Sequence, residues 1–377
     1  MARPCCYFSP MPLPEPLRAA TVGDVAALAG VSSATAARAL GGYGNVSPRT
    51  RDRVADAAQE LGYRANGIAR SMVTGQTSTL GLVVADIENP FFAAVTRGFG
   101  DIARRADYDV MVVNTDEDPA RERAALAVLV GRRVDGVALS PASSREAGHL
   151  HMHVAAGQPL VLLDRGVRGL RADVVGIDNR AAARRAVDHL VAAGHRRIAM
   201  LAGAGTGGRP LPDEGAPPAL MTGLDRIRGY RDALSSAGLD GLPDYLRVTH
   251  FRSSAARAAI RELLALPLPP TAVFCSDSLL SLGVLAGAAD AGAIIPVDLS
   301  LVAFDDADWM DVVTPAVTVM DQPAYDIGAA AADRLLRRVA GETARPRRVV
   351  LPTDLVERGS VAAPRTAVRR VQRPSAP

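Results

Sequence analysis

Three arginines, Arg49, Arg51 and Arg53, alternate along the first turns of a helical run that opens on Ser47 and Pro48. Ser caps a helix N-terminus and Pro fits its first position. Cations there oppose the positive end of the helix dipole, so they point to an anionic partner, and the phosphates of a nucleic acid would be one. Upstream, Ser33, Ala34, Thr35 and Arg38 face outward from a short helical segment whose Ala36, Ala39 and Leu40 face inward. Two short helices joined by a tight turn at Gly30 form a helix-turn-helix, whose second helix lies in the major groove of DNA.

Other chemistries can be weighed on the same basis. Gly203, Gly205 and Gly208 match G-x-G-x-x-G after a strand, but a pyrophosphate site needs a helix to begin there, and Arg209-Pro210-Leu211-Pro212 follows instead. His149, His151 and His153 are too close in sequence for a zinc site without a further ligand. On a helix the first and third share a face but the second does not, and no Cys or carboxylate supplies an obvious third ligand nearby, so a solvated helix face is expected. No Ser-His-Asp set occurs at a nucleophile elbow, and no lysine exists to cradle a phosphate. No catalytic residue, metal or cofactor is expected.

The elements that must position the candidate groups follow from spacing. Thr21 caps a first helix with Val22, Val25, Ala26, Leu28 and Ala29 inward, ended by Gly30. Ser32 caps the second. Val54, Ala57, Ala58 and Leu61 fall at helical intervals in the third. A Pro-rich leader over 1–20 is expected to be disordered, with the headpiece over 21–65. Asn66 to Gly75 has an N-cap and a glycine stop but is too short to be a stable helix alone; 66–79 is thus a conditional hinge helix and linker.

From Leu80 the texture becomes α/β. Eight runs (LGLVVADI, YDVMVVNT, VDGVALS, PLVLLD, DVVGIDN, RRIAMLAG, TAVFCSD and LSLVAFDD) alternate with helical segments, and most end in Asp, Asn or Ser. This predicts doubly wound parallel sheets, with ligands gathered at the carboxyl ends of the strands. The length of 80–362 implies two lobes, with crossovers near Gly176 to Asn179 and near Phe304 to Gln322. The stretch 203–224 is rich in Gly and Pro and is expected to be a long loop. Residues 363–377 form a basic tail, also expected to be disordered and without heptads.

All 43 basic residues are arginine, against 40 acids. The net charge of +3 is unevenly spread: residues 1–78 carry +3, residues 363–377 carry +4 and the remainder −4. Basic ends on an acidic body fit DNA at one end of the molecule. Three cysteines, two of them adjacent, cannot form a disulfide framework. No apolar run approaches a membrane span, and prolines interrupt the N-terminus where a signal peptide needs an apolar stretch. A cytoplasmic protein is expected.

In its motifs the chain resembles the LacI/GalR (lactose repressor) family of bacterial transcription regulators. The resemblance runs from Thr21 to Ala362 and rests on TVGDVAALAGVSSATAARAL, VSPRTRDRV, LGYRANGIARSM, LGLVVADIENPFF, LLDRG, HLVAAGHRRIAMLAG, RIRGY, CSDSLLSLGVL, LVAFDD and TPAVTVMDQP. It implies an all-α headpiece, a hinge helix and a core like periplasmic sugar-binding proteins. By resemblance Thr21, Ser33, Ala34, Thr35 and Arg38 belong to the DNA surface, with Asn45 near phosphate. The Arg38 fork can bond O6 and N7 of guanine. Met72 stands where the family places an apolar wedge for the minor groove, with Asn66 and Ala69 on the same face.

The resemblance further assigns the effector site to Asn89, Phe91, Phe92, Asp164, Arg165, Arg226, Phe251, Ser276, Asp277, Asp305 and Gln322. Aromatic rings can sandwich the faces of a sugar while carboxylates, Arg and amides bond its hydroxyl rim. Ser276 replaces the amide of the ribose-type pattern. The expected protein is a homodimeric repressor of a palindromic operator, controlled by a small molecule of sugar type. The alternative is the sugar-binding protein of a transport system without DNA binding.

Overall fold

The computed structural model describes residues 20–42, 44–63, 76–144, 147–203, 220–239 and 243–365. The chain divides into two compact units, the second beginning at Ser78. No described helix is long and apolar enough to cross a membrane.

In the first unit, Thr21 and Asp24 form a reciprocal capping box at the start of α1 (Val22–Ala29), and Gly30 closes it in the left-handed conformation at φ 61°. Ser32 caps α2 (Ser33–Gly41) through the Thr35 N–H. Ser47 caps α3 (Pro48–Glu60), with Pro in the first turn. Val25, Ala26, Ala29, Ala36, Ala39, Val54, Ala57 and Ala58 pack into one small core. Two residues expected in that core lie outside it, Leu28 being 47% and Leu61 38% exposed. At 3.6 residues per turn Leu28 falls off the face carrying Val25, Ala26 and Ala29. Leu61 stands past the last turn as C-cap, and Tyr63 packs on the core from beyond it.

The second unit has two lobes, each built on a six-stranded sheet. Lobe 1 has the order β11-β5-β4-β3-β1-β2, from β1 (Thr79–Val84), β2 (Asp109–Asn114), β3 (Gly136–Leu139), β4 (Leu160–Leu163), β5 (Asp173–Ile177) and β11 (Arg348–Leu351). Lobe 2 has the order β12-β10-β9-β8-β6-β7, from β6 (Ile198–Gly203), β7 (Leu246–Thr249), β8 (Ala272–Cys275), β9 (Ser300–Phe304), β10 (Thr318–Asp321) and β12 (Asp354–Val356). Every pairing is parallel except β10 with β12. Helices α4 (Pro90–Arg105), α5 (Pro119–Gly131), α6 (Gly148–Ala155) and α11 (Ala324–Val339) serve lobe 1. Helices α7 (Asn179–Ala192), α8 (Met221–Ser236), α9 (Ser253–Leu264) and α10 (Ser278–Asp290) serve lobe 2.

The chain passes between lobes after Ile177 and again after Gln322, at one end of the second stretch anticipated from sequence. A third passage, between Leu351 and Asp354, was not anticipated, since β11 and β12 are edge strands of only 4 and 3 residues. β7 was likewise not anticipated. The close helix pairs use glycine at their crossings. A Cβ on Gly98 of α4 would overlap the Tyr325 carbonyl of α11, one on Gly229 of α8 would overlap the Arg180 carbonyl of α7, and one on Gly283 of α10 would overlap the Ser253 carbonyl of α9.

The histidine triplet differs from expectation. Only His151 is exposed; His153 is buried, and His149 Nε2 lies 2.6 Å from Oε1 of the buried Glu122 on α5. The second Glu122 oxygen accepts the Ala142 N–H at 2.6 Å. The carboxylate that pairs with His149 comes from 27 residues upstream. Burial holds the His153 ring below its usual pKa. Among the described residues no group of three or more His, Cys, Asp or Glu could hold a metal ion.

Candidate functional sites: the headpiece surface and the core cleft

On the headpiece, Ser33, Ala34 and Arg38 are exposed along α2 and Thr35 is half-buried. The Thr35 hydroxyl is paired with Ser32 Oγ at 2.9 Å, so it helps fix the start of α2. Thr21 donates from both N and Oγ1 to Asp24 Oδ2, at 2.8 and 2.7 Å, while Asn45, Arg49, Arg51 and Arg53 are exposed. Asn66, Ala69 and Met72, assigned to a hinge from sequence, lie outside the described residues.

In the second unit a cleft of about 510 Å³ opens at the carboxyl ends of the strands. Ten of the eleven anticipated effector residues line it. Asn89 is the N-cap of α4, its Oδ1 accepting the Phe91 N–H at 3.0 Å, and its Nδ2 donates to Asp277 Oδ2 at 3.0 Å. Asp277 is itself the N-cap of α10 through the Leu279 N–H at 2.8 Å. Phe91 and Phe92 meet edge to face with centroids 5.0 Å apart, and the Arg165 guanidinium stands 5.8 Å above the Phe92 ring.

Asp164 follows β4 and Asp305 follows β9, each in the left-handed region at φ 60° and 68°. Asp tolerates this conformation better than most residues, though at some cost in strain. The two lobes thus present a carboxylate from equivalent strand ends. Arg226, on α8, donates Nε to Asn179 Oδ1 at 2.7 Å and Nη1 to the Ser276 carbonyl at 2.5 Å, and its guanidinium lies 3.7 Å from the Phe304 ring centre. Gln322 Nε2 donates to Asp305 Oδ1.

Two carboxyls of the cleft, Asp305 and Asp277, resist ionisation. Burial, with the like charges of Asp277 and Asp164, pushes Asp305 up to about 7 against the pull of Arg226 and Gln322. Burial also raises Asp277, opposed by the Leu279 N–H, Asn89 and Arg226. Burial works against the Arg165 charge, but Glu117 and Asp164 more than restore it and hold its proton more tightly than usual. Asp164 Oδ1 and Gln322 Oε1 are buried without a hydrogen-bond partner.

Ser276 departs from the expected set. Its Oγ accepts the Gly203 N–H at 2.9 Å, so the side chain ties β8 to β6 instead of lining the cleft. Phe251 does line it, and its ring lies where a Cβ on Gly203 would stand. Sequence reading missed several wall residues, Glu117 above all. Its two oxygens take both Arg165 Nη groups at 2.5 and 2.8 Å. Asn114 ends β2 within the YDVMVVNT run and Asp116 and Glu117 follow that run, so the rule that binding groups gather at strand ends could have found them.

A helix-turn-helix unit carried by the same chain as a two-lobed α/β unit with a polar, ligand-sized cleft defines the class of ligand-responsive transcription regulators. Residues 21–66 match the lacI family of bacterial regulatory proteins, and residues 187–361 match the periplasmic binding protein-like domain. The chain is 33% identical to catabolite control protein A of Priestia megaterium over 88% of this chain and 96% of that one. It is 33% identical to the HTH-type transcriptional repressor CytR of Escherichia coli (strain K12) over 92% and 97%. Among solved structures, the transcriptional regulator CelR–cellobiose complex superposes with a TM-score of 0.67 at 32% identity, covering 90% of this chain and 99% of that chain. The lac repressor dimer bound to operator shares the fold at a TM-score of 0.80 and 22% identity, over 92% and 100%. The chain belongs to the lacI family and is a DNA-binding transcription regulator, not an enzyme. A transport protein without DNA binding is not favoured.

Proposed function

We propose that this regulator acts as a cytoplasmic homodimer that represses transcription from a palindromic operator and is controlled by a polyhydroxyl effector of sugar type seated in the core cleft. The observation that carries the effector reading is the combination, in one cleft, of Phe91, Phe92 and Phe251 with two buried acceptors lacking a protein partner, Asp164 Oδ1 and Gln322 Oε1. Ring faces match the apolar faces of a sugar, and unpartnered acceptors call for ligand hydroxyl donors. The cellobiose carried by the CelR relative supports the same class.

Ser33, Ala34, Thr35 and Arg38 read base edges, Thr21 and Asn45 meet phosphate, and Asn66, Ala69 and Met72 enter the minor groove as a hinge that folds on DNA. Two headpieces match the two halves of the operator by symmetry. Effector closure of the lobes shifts operator affinity by a coupling of about 1–3 kcal/mol. The test is a thermal-shift screen of neutral sugars followed by operator titration with and without each binder. A ligand that binds the folded core raises its melting temperature; operator affinity unchanged by every core binder would overturn the allosteric reading.

A further inference from the structure

The charge of the cleft sets limits on the effector, an inference that rests on the cleft being the effector site. Among the described residues seven carboxylates line it against three guanidiniums. Two of those cations are already engaged. Arg165 is clamped by both oxygens of Glu117, with Asp164 Oδ2 3.3 Å from its Nε. Arg226 is held by the Asn179 amide oxygen, the Ser276 carbonyl and the Phe304 ring. The third, Arg252, is an exposed rim residue, where water screens its charge.

What the protein leaves open is of one kind. Of the cleft-lining atoms buried without a hydrogen bond, the donor Arg165 Nε already faces Asp164 Oδ2 at 3.3 Å within their ion pair, and the other two, Asp164 Oδ1 and Gln322 Oε1, are acceptors on side chains more than nine-tenths buried (the Asp164 side chain is 6% exposed and Gln322 4%). We propose that the cleft takes a ligand that offers hydrogen-bond donors and carries no anionic group, a neutral polyhydroxyl compound or its amino analogue, and that it rejects sugar phosphates and sugar acids. A phosphate or carboxylate entering beside Asp164 and Asp305 would be desolvated against like charge with no unengaged buried guanidinium to receive it. Burial above all, and then the like charges of Asp277 and Asp164, make Asp305 reluctant to ionise. Hydroxyls satisfy both open acceptors, and an ammonium would do so while also relieving the excess.

The experiment is calorimetric titration of the full chain with matched sets that share a ring system. They are glucose, glucosamine, glucose 6-phosphate and glucuronate; ribose and ribose 5-phosphate; and cellobiose with cellobiouronate. For every ring system that binds, the neutral or amino member is expected to bind at least about tenfold more tightly than its phosphate or acid, given the cost of like-charge juxtaposition. A neutral winner identifies hydroxyl donors and an amino winner an ammonium; both support the inference. A phosphate or acid that binds as tightly as its parent overturns it and leaves the cleft as the effector site. Absence of binding in every set overturns the polyhydroxyl reading itself, and this inference with it. Glu117→Gln, which loosens the hold on Arg165, is expected to narrow the neutral-to-phosphate ratio by about threefold or more. An unchanged ratio would show that the Glu117–Arg165 pair does not enforce the exclusion.

Discussion

Asn89 Nδ2 donates to Asp277 Oδ2 at 3.0 Å, a buried bond between side chains 188 residues apart, one on each lobe. Each residue is the N-cap of its own helix. A helix start is thus used twice, once to satisfy its own amide and once to hold the opposite lobe. Asn89→Asp keeps a good cap but sets a carboxylate against Asp277 in place of a donor. Ligand affinity is expected to fall by about 1.5–3 kcal/mol, the worth of a hydrogen bond to a charged group, with the melting temperature of the ligand-free core less affected. Unchanged affinity by calorimetry would show that this bond does not help close the lobes.

Asp305 makes core stability depend on pH in a defined direction. Its carboxyl is raised from an ordinary 3.8 to about 7, so between these values the folded chain keeps a proton that the unfolded chain releases. The folded state then binds more protons, and this group's contribution to stability falls as pH rises through that window and levels off above it. The slope cannot exceed about 1.4 kcal/mol per pH unit for one proton. Denaturant titrations across the window should show this fall in the parent and its loss in Asp305→Asn; identical pH profiles for the two would refute the assignment.

Gly203→Ala is expected to act on the ligand site more than on the fold. The added Cβ would overlap the Phe251 ring, which must swing out of its place in the cleft wall. Binding of any sugar found to occupy the cleft should weaken by about 1–3 kcal/mol, the usual penalty for overpacking, while operator binding without ligand is retained. Equal losses of both would point to a folding defect.

Gly98 tests the close approach of α4 and α11. A methyl there would overlap the Tyr325 carbonyl, and backbone cannot step aside as a flexible side chain can. Gly98→Ala should therefore cost at least about 1–3 kcal/mol despite the better helix propensity of Ala, read as a lower denaturation midpoint. A neutral or stabilising result would mean that the helices separate easily.

On the headpiece, Arg38→Ala should cost about 1–3 kcal/mol of operator affinity and relax preference at one base pair, as loss of a bidentate guanine contact would. Thr21→Ala removes the two bonds of the Thr21 hydroxyl, donated to Asp24 Oδ2 and accepted from the Asp24 N–H, and should lower headpiece stability by about 0.5–2 kcal/mol. A binding assay across single-base operator variants separates the two. Uniform weakening by Arg38→Ala would place that residue on phosphate.

Much of the architecture is legible in the chain because it is local. Thr21, Ser32 and Ser47 act on amides three residues away, and the apolar runs of the central strands report burial on both faces. The polar strand ends follow from the same rule, whereas the eleven anticipated cleft residues, ten of which line one cavity, were implied by the family resemblance. Local signals weaken at the margins, as with the exposed Leu28 and Leu61 and the short strands β7, β11 and β12.

By itself the sequence determined the order of elements, the helix caps, the α/β character and the strand ends that would carry chemistry, since each depends on neighbours within a turn or two. Only the tertiary structure decided partnership. It set Glu117 on Arg165 across 48 residues, Glu122 beneath His149 across 27, and Asn89 on Asp277. It also turned Ser276 toward Gly203. Those choices depend on the order of strands in two sheets and on three passages between lobes, which bring together charges whose separation along the chain says nothing of their distance in space.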